Sequence, residues 1–380
     1  MSSMLKVGFV GAGRANFGPS RPWCHASKVE KYIRDVTVIG IVDIDTTKAE
    51  SVLQTRRSSE EFGHLYGNCE VLADYMQLIA LRPDVVIIGV PPGVRGSFTD
   101  GRDMELQFVM AGIHILVEKP LSTSSPEHFQ EYARAVTTEA EKRNVMVSVG
   151  YVFRYHPAIE KMNEMIKQHG GKVMAFNVRF YIAHADAVNK SRFNAQLFGG
   201  PLCEEATHFF DLARYLTESE IDHSSIQCLT VKDTDRNGAG KLANLPSGTE
   251  DGIPFEKRIP RVTVAQWRFK DAGVGTLMLS LALPGCRLET YMDVQLDGLS
   301  FSISRPYAEL RVRSQIDEDP DAAVISSYDT TAEADMYRKQ LQAFFEAVRT
   351  NNPTLIRSHY SDSAKTFEFT KVVSEAGERN

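Results

Sequence analysis

Two stretches of the 380-residue chain carry side chains suited to moving protons. In the first, Ala111-Gly112-Ile113-His114-Ile115-Leu116-Val117-Glu118-Lys119-Pro120-Leu121, an apolar run delivers a carboxylate, an amine and a proline to one end. In the second, Gly199 through Asp211, a helix would set Glu204, His208 and Asp211 on one face at i, i+4 and i+7. An unperturbed imidazole has a pKa of roughly 6.5, so His208 is the candidate general acid or base. Glu204 would fix its tautomer or bind substrate. Lys119 would bind a reacting oxygen and stabilise negative charge there, or relay the proton itself if burial lowers its pKa. This chemistry needs no metal. Each feature also has an ordinary reading, since Glu four residues before His is a common helix pair and Lys-Pro a common turn. Tyr151, Arg154 and Tyr181 are further candidates, Arg154 for cofactor and the two tyrosines for substrate. His184, before the segment 185–198, is a guess of the same kind.

A third stretch could hold a dinucleotide. Val7-Gly8-Phe9-Val10-Gly11-Ala12-Gly13-Arg14-Ala15-Asn16 places a glycine pair directly after an apolar strand. Gly11 would permit the tight turn and Gly13 the approach of a pyrophosphate to a helix N-terminus, with Arg14, Ala15 and Asn16 beside it. Asn16 stands where the full fingerprint has Gly or Ala. The next apolar run ends at Asp43-Ile44-Asp45, and Asp43 would bind the adenosine ribose hydroxyls, with helix capping as its plain alternative. A carboxylate there repels a 2′-phosphate and no arginine follows until Arg56, so NAD(H) is expected over NADP(H). The interval from Gly13 to Asp43 exceeds the usual ~20 residues, and Phe17–Ser27 reads as the inserted part. Val90-Pro91 would close the site from a neighbouring strand.

The elements that must position these groups fall into two parts. Up to residue 150, strand candidates (Lys6–Gly11, Val36–Val42, Val85–Val90, Ile113–Val117, Val145–Val149) alternate with helical patterns (Thr47–Phe62, Leu72–Leu81, Pro126–Arg143). The strands are nearly continuous in Val and Ile, as in a parallel sheet covered on both faces. A doubly wound α/β Rossmann domain is expected over 1–150. A helix at Pro157–His169 then leads into alternating strands at Val173–Tyr181, Val262–Phe269, Gly275–Leu283, Tyr291–Leu296, Leu299–Ser304 and Leu310–Ser314. These predict an α+β domain over 151–380 with a large open, mainly antiparallel sheet. Lys232–Arg261 reads as a long exposed insertion, and Tyr337, Leu341, Phe344, Phe345 and Val348 as one face of a helix.

Composition narrows the classes. The net charge is -6, with no basic block of the kind phosphate neutralisation needs, so nucleic acid is not an expected partner. No apolar stretch reaches the ~18–20 residues of a membrane span, and no targeting signal is evident. The cysteines are odd in number, five, and none forms a Cys-x-x-Cys pair. That suits a reducing compartment, and a cytoplasmic protein is expected. Cys203 reads as a small buried hydrophobe ahead of a nucleophile.

Together these segments resemble the Gfo/Idh/MocA family, the glucose–fructose oxidoreductase and inositol dehydrogenase group. The matching residues are Gly11-Ala12-Gly13, Asp43, Glu118-Lys119-Pro120, Arg154-Tyr155-His156-Pro157, Gly199 through Asp211, Gln266-Trp267-Arg268-Phe269 and Ala343 to Val348. Asn16 departs from the pattern, as do Arg95, where many members have histidine, and Glu204, where many have aspartate. The resemblance implies a Rossmann domain, an open antiparallel sheet, NAD(P), a sugar or polyol substrate and dimers formed through sheet faces. Three activities stay open: an NAD-dependent dehydrogenase or reductase acting on CH–OH groups, a non-catalytic NAD-sensing regulator, and a redox-neutral glycosidase or epimerase with bound NAD. A regulator of this family lacks the Glu-Lys-Pro lysine, which this chain keeps.

Overall fold

A computed structural model describes residues 4–18, 23–183, 199–235, 237–242, 245, 247–283, 288–304, 309–315, 323–329 and 335–379. His184 and the segment 185–198 lie outside the described residues. The chain divides into two compact units, Met1–Tyr155 with Asp335–Ala364, and His156–Ala334 with Lys365–Asn380.

The first unit is built on β1 (Leu5–Val10), β2 (Val36–Val42), β3 (Glu70–Leu72), β4 (Val85–Ile88), β5 (His114–Val117) and β6 (Val147–Val149). All pairings are parallel, in the order β3-β2-β1-β4-β5-β6. This is the doubly wound order whose ligand crevice opens where the winding reverses, here between β1 and β4. The connections are α1 (Arg14–Phe17), α2 (His25–Tyr32), α3 (Thr46–Arg57), α4 (Tyr75–Ala80), α5 (Met104–Met110) and α6 (Pro126–Arg143). Proline at the first position of α6 and left-handed Asn144 after its end account for its sharp limits.

One boundary differs from the sequence expectation. The segment Asp335–Ala364 belongs to the first unit, and the N-terminal part of that unit runs to Tyr155. Leu341, Phe344, Phe345 and Ala347 share a buried cluster with Val7, Phe9, Val29 and Val38. Burying an aromatic or leucine side chain stabilises by roughly 1.5–3 kcal/mol. Polar groups complete the attachment, with Gln340 Nε2 and Ser358 Oγ both donating to the carbonyl of Val149, at 2.6 and 2.7 Å. At the other limit, Tyr155 Oη accepts from the Arg357 amide at 2.8 Å.

The second unit opens with α7 (Pro157–His169) and centres on an eight-stranded sheet. Its strands are β7 (Ala175–Ile182), β8 (Ile221–Val231), β9 (Val262–Phe269), β10 (Val274–Ser280), β11 (Leu288–Leu296), β12 (Leu299–Ser304), β13 (Glu309–Gln315) and β14 (Ala323–Asp329). They run β14-β13-β12-β11-β7-β10-β9-β8, antiparallel except for β7 with β10. Among the described residues the α-helices after α7 are α8 (Thr207–Thr217), α9 (Met336–Thr350), which sits in the first unit, and α10 (Tyr360–Arg379). Alternation along β7 buries Phe176, Val178, Phe180 and Ile182 on one face. Helices cover that face through Phe180–Phe209 and Trp267–Phe369 ring contacts at 5.1 and 5.0 Å. The stretch read as an exposed insertion is anchored at its base. Arg258 and Arg261 pair with Asp233 and Glu250 at 2.7 and 2.6 Å, and Ile259 and Arg261 are buried.

Candidate functional site

Strand register lines up one edge of the first unit. Val10 pairs with Val42 and with Ile88, and Ile88 pairs with Val117. The residues that follow, Gly11, Asp43, Gly89 and Glu118, therefore leave the sheet side by side at its carboxyl edge. Gly11 turns with φ +97°, and a Cβ there would strike Val90 at 2.9 Å, so this position needs glycine. Gly13 faces open space, where a Cβ would meet only Lys48 Nζ at 3.8 Å. Val90 packs on the glycine turn, Pro91 and Arg14 are exposed and Ala15 is half-buried.

Asp43 is aimed at this turn. Its Oδ2 accepts from the Ala12 amide at 2.7 Å and its Oδ1 from the Asp45 amide at 3.0 Å. Capping of α3 falls to Asp45, which accepts from Lys48 N, so Asp43 is left for the turn and for what lies above it. Ile44 beside it is 94% exposed, an apolar side chain left almost wholly in solvent. A small open turn, a carboxylate and an exposed apolar platform suit a pyrophosphate, a ribose and an adenine in that order. Lys48, which carries no motif in the sequence, joins this group, its ammonium 3.6 Å from Asp43.

Two residues expected at the cofactor are buried within the first unit. Asn16 is fully buried, and its amide donates to the carbonyls of Val10 and Gly11 at 2.9 Å each. It braces the turn from beneath, filling the space against Gly89. The helix behind it is correspondingly short, since α1 ends at Phe17 and α2 begins only at His25. Arg154 is 3% exposed and committed to the returning segment, donating to Asp362 and to the Arg357 carbonyl, both at 2.6 Å. A guanidinium held by a carboxylate and a carbonyl is a fastener. Tyr151, expected at substrate, is 1% exposed in the same unit.

The Glu118-Lys119-Pro120 segment leaves β5 at this edge, with a cis peptide bond between Lys119 and Pro120. Lys119 is half-buried. Burial pushes the Glu118 carboxyl up, but the His25 hydrogen bond and charge, with Lys119 and Arg95, outweigh it and hold the group below its ordinary range. His25 carried no recognisable signal, because its partner lies 93 residues away in sequence, and Arg95 stood out only as a departure from the family pattern.

In the second unit, Leu202–Ala206 is a π turn running into α8. Such wide turns occur often at functional positions. Glu204 and His208 are half-buried, with Glu204 Oε2 and His208 Nδ1 shielded from solvent. Asp211 does not share their surroundings. It is fully buried and accepts from Thr366 of α10, while Arg214 also donates to Thr366. The wider turn shifts Glu204 away from the i, i+4 spacing to His208 of a regular helix, while His208 and Asp211 both lie within α8. Tyr181 is not brought to this group either. It lies with Arg179 and Tyr291 on the sheet face opposite the one that Phe209 of α8 covers. Cys203 is buried and its thiol pushed up to about 11 by burial, unsuited to nucleophilic work near neutral pH.

Among the described residues no helix is long and apolar enough to cross a membrane, and no group of three or more His, Cys, Asp or Glu could hold a metal ion.

Comparison with known proteins gives two family matches. Residues 5–151 match the oxidoreductase family with NAD-binding Rossmann fold, and residues 154–299 an oxidoreductase C-terminal domain. An uncharacterised protein of Schizosaccharomyces pombe is 31% identical, over 98% of this chain and 91% of its own. Among solved structures, a levoglucosan dehydrogenase in complex with NADH has a TM-score of 0.73 at 17% identity, covering 99% of this chain and 97% of that one. A UDP-N-acetylglucosamine 3-dehydrogenase from Acidithiobacillus ferrooxidans has a TM-score of 0.71 at 17% identity, covering 99% and 98%.

Proposed function

The chain belongs to the Gfo/Idh/MocA family of NAD-binding oxidoreductases, and from that premise we propose that it is a dehydrogenase or reductase of a secondary alcohol or carbonyl on a sugar- or polyol-like molecule. The observation that carries this reading is the register of β1, β2, β4 and β5, which delivers Gly11, Asp43, Gly89 and the Glu118-Lys119 pair to one edge. Sugar-acting dehydrogenases among the structural neighbours support the substrate class.

When bound, the nicotinamide supplies the hydride acceptor or donor. The protein's own groups do the rest. Gly11 makes the turn and Gly13 leaves room for the pyrophosphate, Asp43 binds the ribose hydroxyls, and Ile44 and Val90 offer apolar contact. Lys119 binds the oxygen of the reacting CH–OH group and stabilises the negative charge that grows there as its proton leaves. In the second unit, His208 is the group suited to take or return a proton, with Glu204 to fix its tautomer. The NADH complex of a structural neighbour and the carboxylate of Asp43 both favour NAD(H), while Lys48 softens the repulsion of a 2′-phosphate.

The test is turnover. Purified protein with NAD, or with NADH for the reverse direction, is offered anhydrosugars, nucleotide sugars, aldoses and polyols, and NADH absorbance is followed. A net redox change with at least one sugar is expected. NAD that co-purifies without net change in either direction would instead favour a redox-neutral enzyme. No turnover together with a tight protein partner would favour a regulator. In the same assay Asp43→Ala is expected to raise the KM for NAD about 10-fold or more with little change in kcat, because a charge-assisted hydrogen bond to the ribose is lost. An unchanged KM removes Asp43 from the cofactor site.

A further inference from the structure

The Glu118 carboxylate is largely withdrawn from water, where an ionised group needs donors. Its Oε1 lies 2.7 Å from Nε2 of His25. Its Oε2 is pressed against Gly150, where a Cβ would come within 2.7 Å. Since an ionised carboxylate only accepts, the hydrogen sits on His25 Nε2. His25 itself is 1% exposed and opens α2, the helix that follows the inserted stretch of the first βα connection. The backbone around Glu118 is gripped separately, by Arg95, which donates to the carbonyls of Glu118, Pro120 and Leu121.

We infer that His25 is a positioning residue that, by holding the Glu118 carboxylate, fixes the place and the charge of the Glu118–Lys119 pair toward the nicotinamide half of the cofactor. The inference rests on the oxidoreductase reading above. The charged and titratable groups facing Glu118 are His25 from α2, Lys119 next in the chain and Arg95 from the loop after β4. Without the imidazole, burial of the carboxylate is less opposed and it gains its proton at higher pH. The acid limb of any property that needs the carboxylate then moves to higher pH.

The experiment measures NADH affinity by fluorescence across the pH range, steady-state kcat and KM, and melting temperature. His25→Phe fills the volume without a donor, and His25→Gln returns one. His25→Phe is expected to lower kcat/KM about 10- to 100-fold, the range of a lost hydrogen bond to a charged group, and to move the acid limb of NADH affinity upward. His25→Gln is expected to recover most of kcat. Glu118→Gln, which keeps the shape and cannot ionise, is expected to abolish the acid limb, and it serves if His25→Phe does not fold. A merely structural His25 would lower the melting temperature of His25→Phe and leave its pH profile where the wild type has it. That profile, or an acid limb retained in Glu118→Gln, overturns the inference. Failure of the wild type to turn over any sugar counts against the catalytic reading alone, because the NADH titrations still decide the role of His25.

Discussion

Lys119→Ala is expected to reduce kcat by about 10³-fold while leaving NADH affinity within a few-fold of wild type. The size follows from the services open to the amine, charge stabilisation or, if it relays the proton itself, acid–base work. General acid–base participation is worth about 10²–10⁴-fold and a single charge-stabilising donor about 10²–10³-fold, and two services by one group do not multiply. A 10³-fold loss corresponds to about 4 kcal/mol of transition-state stabilisation. On the proposed reading binding is spared, because the adenosine half is assigned to a different part of the edge, the open turn at Gly13 and the carboxylate of Asp43. Lys119→Arg separates the services. Guanidinium keeps the charge but does not release a proton in proteins, so recovery by arginine means electrostatic stabilisation and its absence means proton relay. Stopped-flow single turnover together with NADH fluorescence makes both measurements. A Lys119→Ala enzyme with wild-type kcat would remove the lysine from the chemistry altogether.

Much of what supports that lysine was legible in the sequence, and the limits of legibility have physical causes. Val36–Val42, Pro126–Arg143, Pro157–His169, Val262–Phe269 and Leu299–Ser304 fall where the structure has β2, α6, α7, β9 and β12. Each is marked locally, by a β-branched run, a first-turn proline, a stop glycine or strict alternation. By contrast β3 has three residues, the first of them exposed, which is too short for any period. The helix α10 was missed because serines and threonines interrupt its apolar pattern, and several of these, among them Ser363, Thr366 and Thr370, are buried in the structure. Burial of hydroxyls depends on the partners that tertiary packing supplies, such as Asp211 and Arg214 for Thr366. The amphipathic face of α9 is plain in the sequence, but amphipathicity says that a face is covered and not by what. Its partner proved to be the core of the first unit. The π turn before His208 left no trace either, since one wider turn alters spacing without altering composition.

Arg95 shows the same limit at a single side chain and gives the second large expected effect, on stability. Replacing it with leucine is expected to destabilise the first unit by about 3–5 kcal/mol, the range for breaking a buried ion pair by removing one partner. Both partners have no exposed side-chain surface, at a separation of 3.1 Å. Glu105 would retain only Tyr132 Oη, at 3.0 Å, and the Gly96 amide, at 3.3 Å, donors too weak to hold a buried anion. Guanidinium has five N–H donors, and here each has an acceptor: Nε the Val90 carbonyl, Nη1 Glu105 and the Leu121 carbonyl, Nη2 the carbonyls of Glu118 and Pro120. Arg95→Lys should therefore also destabilise, since three donors on a flexible stem cannot meet five fixed acceptors. Urea unfolding followed by a probe in the first unit gives the value. The double variant Arg95→Leu with Glu105→Leu supplies the control, because removing both charges spares the uncompensated anion and should recover a large part of the loss. Full recovery of stability with activity still depressed would separate the two duties of Arg95, neutralising Glu105 and holding the carbonyls on either side of Lys119. Arg95→Leu as stable as wild type would mean that neither duty matters to the fold, and that the five contacts follow from the path of the chain rather than set it.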